Sequence, residues 1–142
     1  MSTKIWKMPI SIESIQTRSA NTMADFLSIE AIEIGNDFLI AKMPVTDKVR
    51  QPLGIMNGGA SCVLAETVGS TAANYCVDQE TQYCVGLDIN TNHIRSIKDG
   101  FIYATAKPFH LGKSTQVWSI ESYNEDRQLI SVSRLTMAVI AR

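Results

Sequence analysis

The pattern of apolar and polar positions predicts one long helix that follows a β-hairpin. Residues 60–75 form a run rich in alanine and other small residues, too long for a typical strand and therefore expected to be helical. Before this run, residues 29–34 and 38–43 alternate well enough to be two strands. The turn residues Gly35-Asn36-Asp37 lie between them and favour a hairpin.

The remainder of the chain adds four strands and two minor helices. Gly100, Gly112 and the polar run at residues 124–127 separate the predicted strands from one another. Those strands are residues 83–92, 101–107, 115–123 and 129–140. Ser11 can cap a short helix over residues 11–18, and Thr22 followed by Asp25 resembles a second, weaker helix start. This order predicts an α+β fold with an antiparallel sheet.

The dimensions of these elements indicate how they pack. A helix of about 16 residues is about 24 Å long, and a strand of about seven or eight residues spans nearly the same length. One helix can therefore lie along one curved antiparallel sheet. The helix sequence carries almost no charge, so most of its circumference should be buried, and a single sheet cannot cover every side. We expect a second subunit to cover the remaining side.

Composition narrows the class of protein. The chain has 142 residues and a mass of 15.7 kDa, with 45% hydrophobic and 19% charged residues, which predicts one compact domain over residues 1–142. A net charge of -1 and a pI of about 6.1 exclude a general nucleic-acid binder. No signal peptide and no run of about 18 apolar residues is found, so we expect a cytoplasmic protein without a membrane partner.

The cysteines indicate a reducing compartment. Cys62, Cys76 and Cys84 form an odd set without a C-x-x-C pair, and no His stands at metal-ligand spacing. Neither a disulfide framework nor a metal site is therefore expected. His93 and His110 lie too far apart along the chain to form a metal motif of their own.

Glu66 is the only charged residue between Arg50 and Asp78. Its helical neighbours at three and four positions include no Lys or Arg, and only polar uncharged side chains such as Ser70 share its face. A carboxylate in apolar surroundings is costly unless it is satisfied, and loss of water favours its neutral form. Glu66 is therefore either hydrogen-bonded at a helix edge or a candidate general base or nucleophile.

A glycine pair, Gly58-Gly59, stands just before the predicted helix. Glycines at a helix start let a ligand approach backbone N–H groups that the first turn leaves unpaired and that the helix dipole makes electropositive. The pair therefore fits an oxyanion hole, although a tight turn that needs glycine would look the same. Gly58 lies eight residues before Glu66, about two helical turns, so we expect both groups to serve one site.

Four blocks of the sequence closely resemble the PaaI-like group of hotdog-fold acyl-CoA thioesterases. They are QPLGIMNGGASCVLAET, VGLDINTNHIRS, KPFHLGKSTQVWSIE and SRLTMAVI, and the likeness covers nearly the full chain. The most similar branch contains the 1,4-dihydroxy-2-naphthoyl-CoA thioesterase of menaquinone synthesis and the proofreading thioesterase of enterobactin synthesis. The resemblance implies a long central helix wrapped by an antiparallel sheet, dimerisation into one continuous sheet, and a homotetramer.

The resemblance also implies a reaction and a set of catalytic residues. Glu66 matches the carboxylate that attacks the thioester or activates water, and the Gly58 N–H matches the group that polarises the thioester carbonyl. Gln51 matches an amide at the reacting centre, and Ser70 matches a hydroxyl that positions water. The expected products are a free acid and CoA, from aromatic substrates such as hydroxybenzoyl-, phenylacetyl- or dihydroxynaphthoyl-CoA esters.

In the same family the site straddles the dimer interface, and a further set of residues matches positions that line the coenzyme. This set comprises Gly86, His93, Arg95, Ser96, His110, Gly112, Lys113 and Ser114. Arg95 and Lys113 would meet phosphates as charged donors, and the serines would add neutral donors. CoA is then part of the substrate, and no separate cofactor and no metal are expected.

Asn57 departs from the pattern of the most similar branch, which usually has His there. An amide can donate a hydrogen bond to the thioester oxygen but cannot exchange a proton near neutral pH. Two alternatives follow. The chain either remains an active thioesterase or is an acyl-CoA binding module with little turnover. A hotdog hydratase is disfavoured because neither His lies in the catalytic segment.

Overall fold

The computed structural model describes residues 3–142 and contains one long helix that lies along a six-stranded sheet. Its helices are α1 (Ile12–Ser19), α2 (Met23–Phe26) and α3 (Gly58–Tyr75). Its strands are β1 (Glu30–Ile34), β2 (Leu39–Pro44), β3 (Gln82–His93), β4 (Phe101–Leu111), β5 (Thr115–Tyr123) and β6 (Leu129–Ala141). The predicted order of elements and the α+β class are confirmed. Within residues 3–142 no helix has the length and hydropathy needed to cross a bilayer.

The strands form an antiparallel sheet in the order β1-β2-β4-β5-β6-β3. The predicted hairpin is β1-β2, and the Gly35 N–H donates to the Phe38 carbonyl at 2.9 Å to close its turn. β3 lies at one edge of the sheet and pairs with β6, so its outer edge has no strand partner within residues 3–142. That free edge is the feature of the fold that matters most for the site.

Two element boundaries differ from the sequence prediction by more than one residue. α3 begins at Gly58 rather than at residue 60, because the Asn57 side chain caps the helix and both glycines enter its first turn. β4 continues past Lys107 to Leu111, so His110 lies on a strand. The ladder to β5 survives Pro108 because a register shift between Pro108 and His110 absorbs the missing backbone donor.

α3 packs one face against the sheet. Leu64, Val68 and Ala72 on the helix are buried, and they lie over a core that includes Trp118 and Leu135 from β5 and β6. Gly69 is part of this contact, because a Cβ there would come within 2.6 Å of Leu135 Cδ2. Helix and sheet therefore approach closely along the middle of α3.

The other side of α3 is only half-buried in one protomer. The residues that share this partial exposure are Cys62, Val63, Glu66, Thr67, Ser70, Thr71 and Asn74. α1 and α2 cover part of this side, and the Tyr75 hydroxyl lies 2.9 Å from Ser14 Oγ, which ties α1 to the end of α3. Coverage of the remainder by a second subunit stays a prediction.

Candidate active site

The start of α3 presents an unpaired backbone donor. Asn57 Oδ1 accepts the Gly59 N–H at 2.7 Å, and the Asn57 N–H donates to the Val49 carbonyl. The Gly58 N–H has no hydrogen-bond partner among residues 3–142. Because the helix dipole makes this end electropositive, Gly58 offers a donor to a developing negative charge. Gly59 does not, since its N–H already serves the cap.

The loop before α3 orients a second donor, the side-chain amide of Gln51. Gly54, at a φ of +83°, lets the loop turn back, and its N–H donates to the Gln51 carbonyl. Gln51 Oε1 accepts the Leu53 N–H, so the amide nitrogen Nε2 remains available as a donor. The Asn57 side chain is arranged in the same way: its oxygen accepts the Gly59 N–H, and its Nδ2 remains available as a donor.

His93 lies directly against Gly58. A Cβ added to Gly58 would come within 2.8 Å of His93 Nε2, so the imidazole occupies the space that any larger residue would fill. The two residues line a pocket of about 320 Å³. Its polar lining is Gln51, Gly58, Ser61, His93, Arg95 and Ser96. The structure thus brings five of the predicted site residues into one place.

Glu66 lies two turns further along α3, over Gly86 on β3. A Cβ on Gly86 would collide with Glu66 Oε2, so glycine at this position lets the carboxylate rest against the edge strand. Glu66 is half-buried, and no cation pairs with it among residues 3–142. Ser70, one turn later, is half-buried on the same face. Glu66 is therefore a carboxylate without a counter-ion beside the free edge of the sheet.

One protomer keeps Gly58 and Glu66 apart. Eight residues of helix separate their backbones by about 12 Å. Their neighbours on β3, His93 and Gly86, are seven residues apart, which is roughly 20 Å of strand. A glutamate side chain cannot bridge this gap to a carbonyl held at Gly58. The expected site shared by Gly58 and Glu66 stays a prediction, and we place it between two copies of the chain.

The remaining predicted coenzyme contacts lie at the other end of the sheet. His110, Gly112, Lys113 and Ser114 end β4 and form the turn to β5, where the Val139 N–H donates to the Ser114 carbonyl at 2.9 Å. Val139 pairs with Cys84 near the start of β3, whereas His93 ends that strand. Within one protomer the predicted coenzyme residues therefore form two separate groups.

Sequence reasoning missed two features of the pocket beside Gly58. Ser61 is buried and lines it, which its i+3 spacing from Gly58 on a helix could have indicated. The contact between His93 and Gly58 had no sequence signal, because it depends on how β3 crosses α3.

The thiols near the end of α3 are unsuited to nucleophilic chemistry. Burial, followed by the neighbouring Cys84, raises the pKa of Cys76 to about 12, and burial also raises the pKa of Cys84. Both thiols therefore stay protonated near neutral pH, where the thiolate would be the reactive form. Among residues 3–142 no three His, Cys, Asp or Glu side chains are grouped as a metal site requires.

A long helix along a six-stranded antiparallel sheet is the architecture of the hotdog thioesterases, and comparison with known proteins shows the same family. The model of the thioesterase superfamily matches residues 53–131. The chain is 45% identical over 136 residues to the 1,4-dihydroxy-2-naphthoyl-CoA hydrolase of Escherichia coli, covering 96% of this chain and 99% of that protein. It is 38% identical to the proofreading thioesterase EntH of Cronobacter turicensis, over 96% of this chain and 98% of that protein.

A solved structure supports the same assignment. A thioesterase from Pseudomonas aeruginosa superposes with a TM-score of 0.95 at 38% identity, covering 97% of this chain and 99% of that one. The chain belongs to the thioesterase superfamily. It is a thioester hydrolase with the hotdog fold, as its resemblance to the PaaI-like group implies.

Proposed function

We propose that the protein hydrolyses CoA thioesters of aromatic or related acyl groups at a site built from two copies of the chain. The observation that carries this proposal is the position of Glu66, an unpaired carboxylate that rests on Gly86 at the free edge of the sheet. Among residues 3–142, no free backbone donor of a helix start lies beside Glu66, and no carboxylate lines the donor pocket at Gly58.

Antiparallel pairing of β3 with the β3 of a second copy would join these two halves. Adjacent strands lie about 4.8 Å apart, and side chains opposite each other point to the same face. If Gly86 of one copy lies level with His93 of the other, the carboxylate of one protomer faces the Gly58 N–H of its neighbour. The exposed apolar side chains of Val85 and Leu87 on this strand would then be covered.

The same pairing would unite the predicted coenzyme contacts. The group that contains Arg95 and Ser96 follows the end of β3, and the turn that contains Lys113 and Ser114 lies near its start. Because the two β3 strands would run in opposite directions, the end of one strand would lie beside the start of the other. The CoA portion of the substrate would thus contact both subunits, and the protein needs no separate cofactor. Further association into a tetramer is part of this proposal.

The chemistry assigned to this site needs only side chains and backbone. Glu66 either attacks the thioester carbon or removes a proton from water that attacks it, with Ser70 holding the water. The carbonyl oxygen gains negative charge, which the Gly58 N–H stabilises with the Gln51 and Asn57 amides. The C–S bond then breaks, and CoA leaves as a thiolate that takes a proton from solvent. When water is the attacking group, this step releases the free acid; when Glu66 attacks, it leaves an acyl–Glu66 anhydride, which a water molecule hydrolyses to the free acid and the regenerated carboxylate.

The names of the relatives guide the choice of acyl group. One is a hydrolase of 1,4-dihydroxy-2-naphthoyl-CoA, and another is a proofreading thioesterase. We propose an aromatic acyl group of the hydroxybenzoyl, phenylacetyl or dihydroxynaphthoyl type for this chain. Asn57 caps the helix and still has a free donor, so its presence is compatible with turnover.

The experiment is a steady-state assay of CoA thiol release over a panel from benzoyl-CoA through naphthoyl-CoA to medium-chain aliphatic esters. We expect selective turnover of aromatic esters that disappears in Glu66→Gln. Equal turnover in wild type and Glu66→Gln would overturn the catalytic assignment. Tight binding of CoA esters without turnover across the panel would favour the binding-module alternative instead.

A further inference from the structure

The start of β3 is covered by a side chain, although the strand lies at the edge of the sheet. Asn74, near the end of α3, contacts both backbone groups of Cys84. The Cys84 N–H donates to Asn74 Oδ1 at 2.8 Å, and Asn74 Nδ2 donates to the Cys84 carbonyl at 3.1 Å. A residue of a neighbouring antiparallel strand makes the same pair of bonds, so the amide takes the place of a strand partner here.

These two groups of Cys84 face the outer edge rather than β6. Val139 lies opposite Cys84 on β6, and its N–H donates to the Ser114 carbonyl at 2.9 Å, away from β3. Opposite residues of an antiparallel ladder exchange both bonds or neither, so this pair has none. Two residues earlier the same edge is engaged again, because the Gln82 N–H donates to the Asp78 carbonyl at 2.9 Å. The chain therefore closes the edge of β3 at both positions.

Beyond Cys84 the edge is open. Cys84 is 5% exposed, whereas Val85 and Leu87 are 43% and 61% exposed. From Gly86 to His93, the backbone of the strand bonds only to β6 among the residues that the structure describes. The outward N–H and C=O groups of this stretch are therefore available to another strand.

The limits of the open stretch fix how a second copy can pair with it. If two antiparallel copies use the whole stretch and stop where it closes, Gly86 of each lies level with His93 of the other. This is the register that the two-copy site requires. A ladder that slipped toward the start of β3 would have to break both hydrogen bonds between Asn74 and Cys84. A slip in the other direction would leave outward groups at Gly86 unpaired.

Asn74 is itself held firmly at this position. Its Nδ2 also donates to the Ser70 carbonyl at 2.9 Å, one turn earlier in α3. Its own carbonyl accepts Gln79 Nε2 at 2.7 Å. The side chain therefore cannot swing away from Cys84 without losing a bond within the helix as well.

We propose that Asn74 is a positioning residue that sets the register between the β3 strands of two copies. By closing the edge at Cys84, it aligns Glu66 of one copy with the Gly58 N–H of the other. The inference rests on the proposed function, because it takes the two-copy site as its starting point. Asn74 acts on the reaction only through the assembly and touches neither the thioester nor the attacking group.

A disulfide between the two copies measures the register. β3 has an extra residue between Gly86 and Asp88, so the middle of the open stretch is Asn90, which would face its own counterpart. Opposite residues without mutual hydrogen bonds have Cα atoms about 4.5 Å apart, which a disulfide can span. We expect Asn90→Cys to link the two copies on oxidation.

Asn92→Cys is the matched control for the disulfide. Both asparagines are exposed and point to the same face of the sheet. In the expected register the two Asn92 Cα atoms are about 13 Å apart, too far for a disulfide. The cysteines are introduced with Cys62→Ala, because the other two native thiols are buried.

Asn74→Leu removes both bonds to Cys84 at nearly constant side-chain size. We expect the linked fraction of Asn90→Cys to fall to that of Asn92→Cys. The kcat for 2-naphthoyl-CoA should fall about 10- to 100-fold, because a shifted register separates the two halves of the site. Gln79→Met removes a hydrogen bond to the Asn74 carbonyl but leaves the edge closed, so it should keep the linkage and stay within about threefold of the wild-type kcat.

Unchanged linkage in Asn74→Leu would overturn the inference, and so would an equal loss in Asn74→Leu and Gln79→Met. If Asn74→Leu does not fold, Asn74→Asp keeps the acceptor for the Cys84 N–H and should give an intermediate loss of linkage; full linkage would refute the role of Asn74. A wild type that sediments as a monomer would refute the two-copy site and this inference together. A dimer that links as expected but hydrolyses no acyl-CoA would refute the proposed reaction and leave the role of Asn74 standing.

Discussion

Two positions along β3 lie beside complementary halves of one chemistry. Beside His93, at the end of the strand, the backbone N–H of Gly58 and the amide of Gln51 can stabilise negative charge, but no carboxylate of residues 3–142 lines this pocket. Around Gly86, Glu66 supplies a carboxylate, and the N-terminus of α3 is two turns away. Neither half alone is a complete site for thioester hydrolysis.

The division of the chemistry between two positions gives one reason for two features of this region. Within residues 3–142, β3 has an outer edge without a strand partner and Glu66 has no counter-ion. An exposed edge strand invites pairing with another chain, and here the pairing would bring the missing half of the site. Glycine has a local role at both places, because it admits His93 at Gly58 and Glu66 at Gly86. The comparison therefore predicts that assembly and catalysis depend on the same strand.

Removal of the carboxylate should have the largest effect. Glu66→Gln keeps the size and hydrogen-bonding capacity of the side chain but removes its charge and its ability to act as base or nucleophile. We expect kcat for aromatic acyl-CoA esters to fall by about 10³-fold, with little change in melting temperature. Thiol release measures the rate. A loss below about threefold would remove Glu66 from the mechanism.

Mixing two inactive variants tests whether the halves belong to different protomers. Glu66→Gln damages the carboxylate half and Gln51→Ala damages the donor half. After co-refolding at equal amounts, half of the dimers should be mixed, and each mixed dimer keeps one intact site, so activity should recover to about a quarter of wild type. Recovery no greater than the average of the two separate variants would mean that both residues act within one chain.

Gly86→Ala should disturb Glu66 more than it disturbs the fold. The new methyl group would occupy the position of Glu66 Oε2 and force the carboxylate aside, so we expect kcat to fall about 10- to 100-fold. Gly69→Ala is the matched case in the core. Its Cβ would meet Leu135 at 2.6 Å, so it should lower the melting temperature rather than act mainly on the rate. Equal effects of the two variants on stability would contradict this assignment.

Much of the fold could be predicted because its signals are local. The alanine-rich helix, the hairpin at Gly35-Asn36-Asp37 and the alternation of the later strands each depend on neighbouring residues. Two boundaries were less well predicted. The strand expected over residues 101–107 continues to Leu111, because pairing with β5 extends past Lys107. The start of α3 at Gly58 depends on the cap that the Asn57 side chain forms.

Candidate residues for the site could be chosen from the sequence, but their arrangement could not. A single charge in a long uncharged stretch identified Glu66, and the glycine pair identified the helix start. The separation of these groups follows from helix rise and could have been calculated. The contacts of Gly58 with His93 and of Glu66 with Gly86 could not, because they depend on the crossing of α3 and β3, which the sequence pattern does not specify.

Asn57 allows the capping role and the donor role to be separated. Asn57→Ala should cost about 1 kcal/mol of stability through loss of the N-cap and should also lower kcat. Asn57→Asp keeps an oxygen for the Gly59 N–H, so we expect its melting temperature to stay near that of wild type while kcat falls several-fold. Chemical denaturation and thiol release measure the two effects. If Asn57→Asp retained full activity, the amide would have no role beyond the cap.

The smallest expected effect concerns Cys76, which follows the end of α3. Burial raises the pKa of this thiol from 9.0 in the unfolded chain to about 12 in the fold, so its neutral form is favoured in the native state. The stability that this difference contributes is complete below pH 9 and is lost as the pH rises toward 12, because the unfolded chain ionises first.

We therefore expect the melting temperature of wild type to decline more steeply between pH 9 and pH 12 than that of Cys76→Ala. Cys62→Ala, on the half-buried side of the same helix, is the matched control and should keep the steep decline. Parallel curves for wild type and Cys76→Ala would mean that water reaches this thiol in the native state. The packing between the end of α3 and the start of β3 would then be looser than the structure has it.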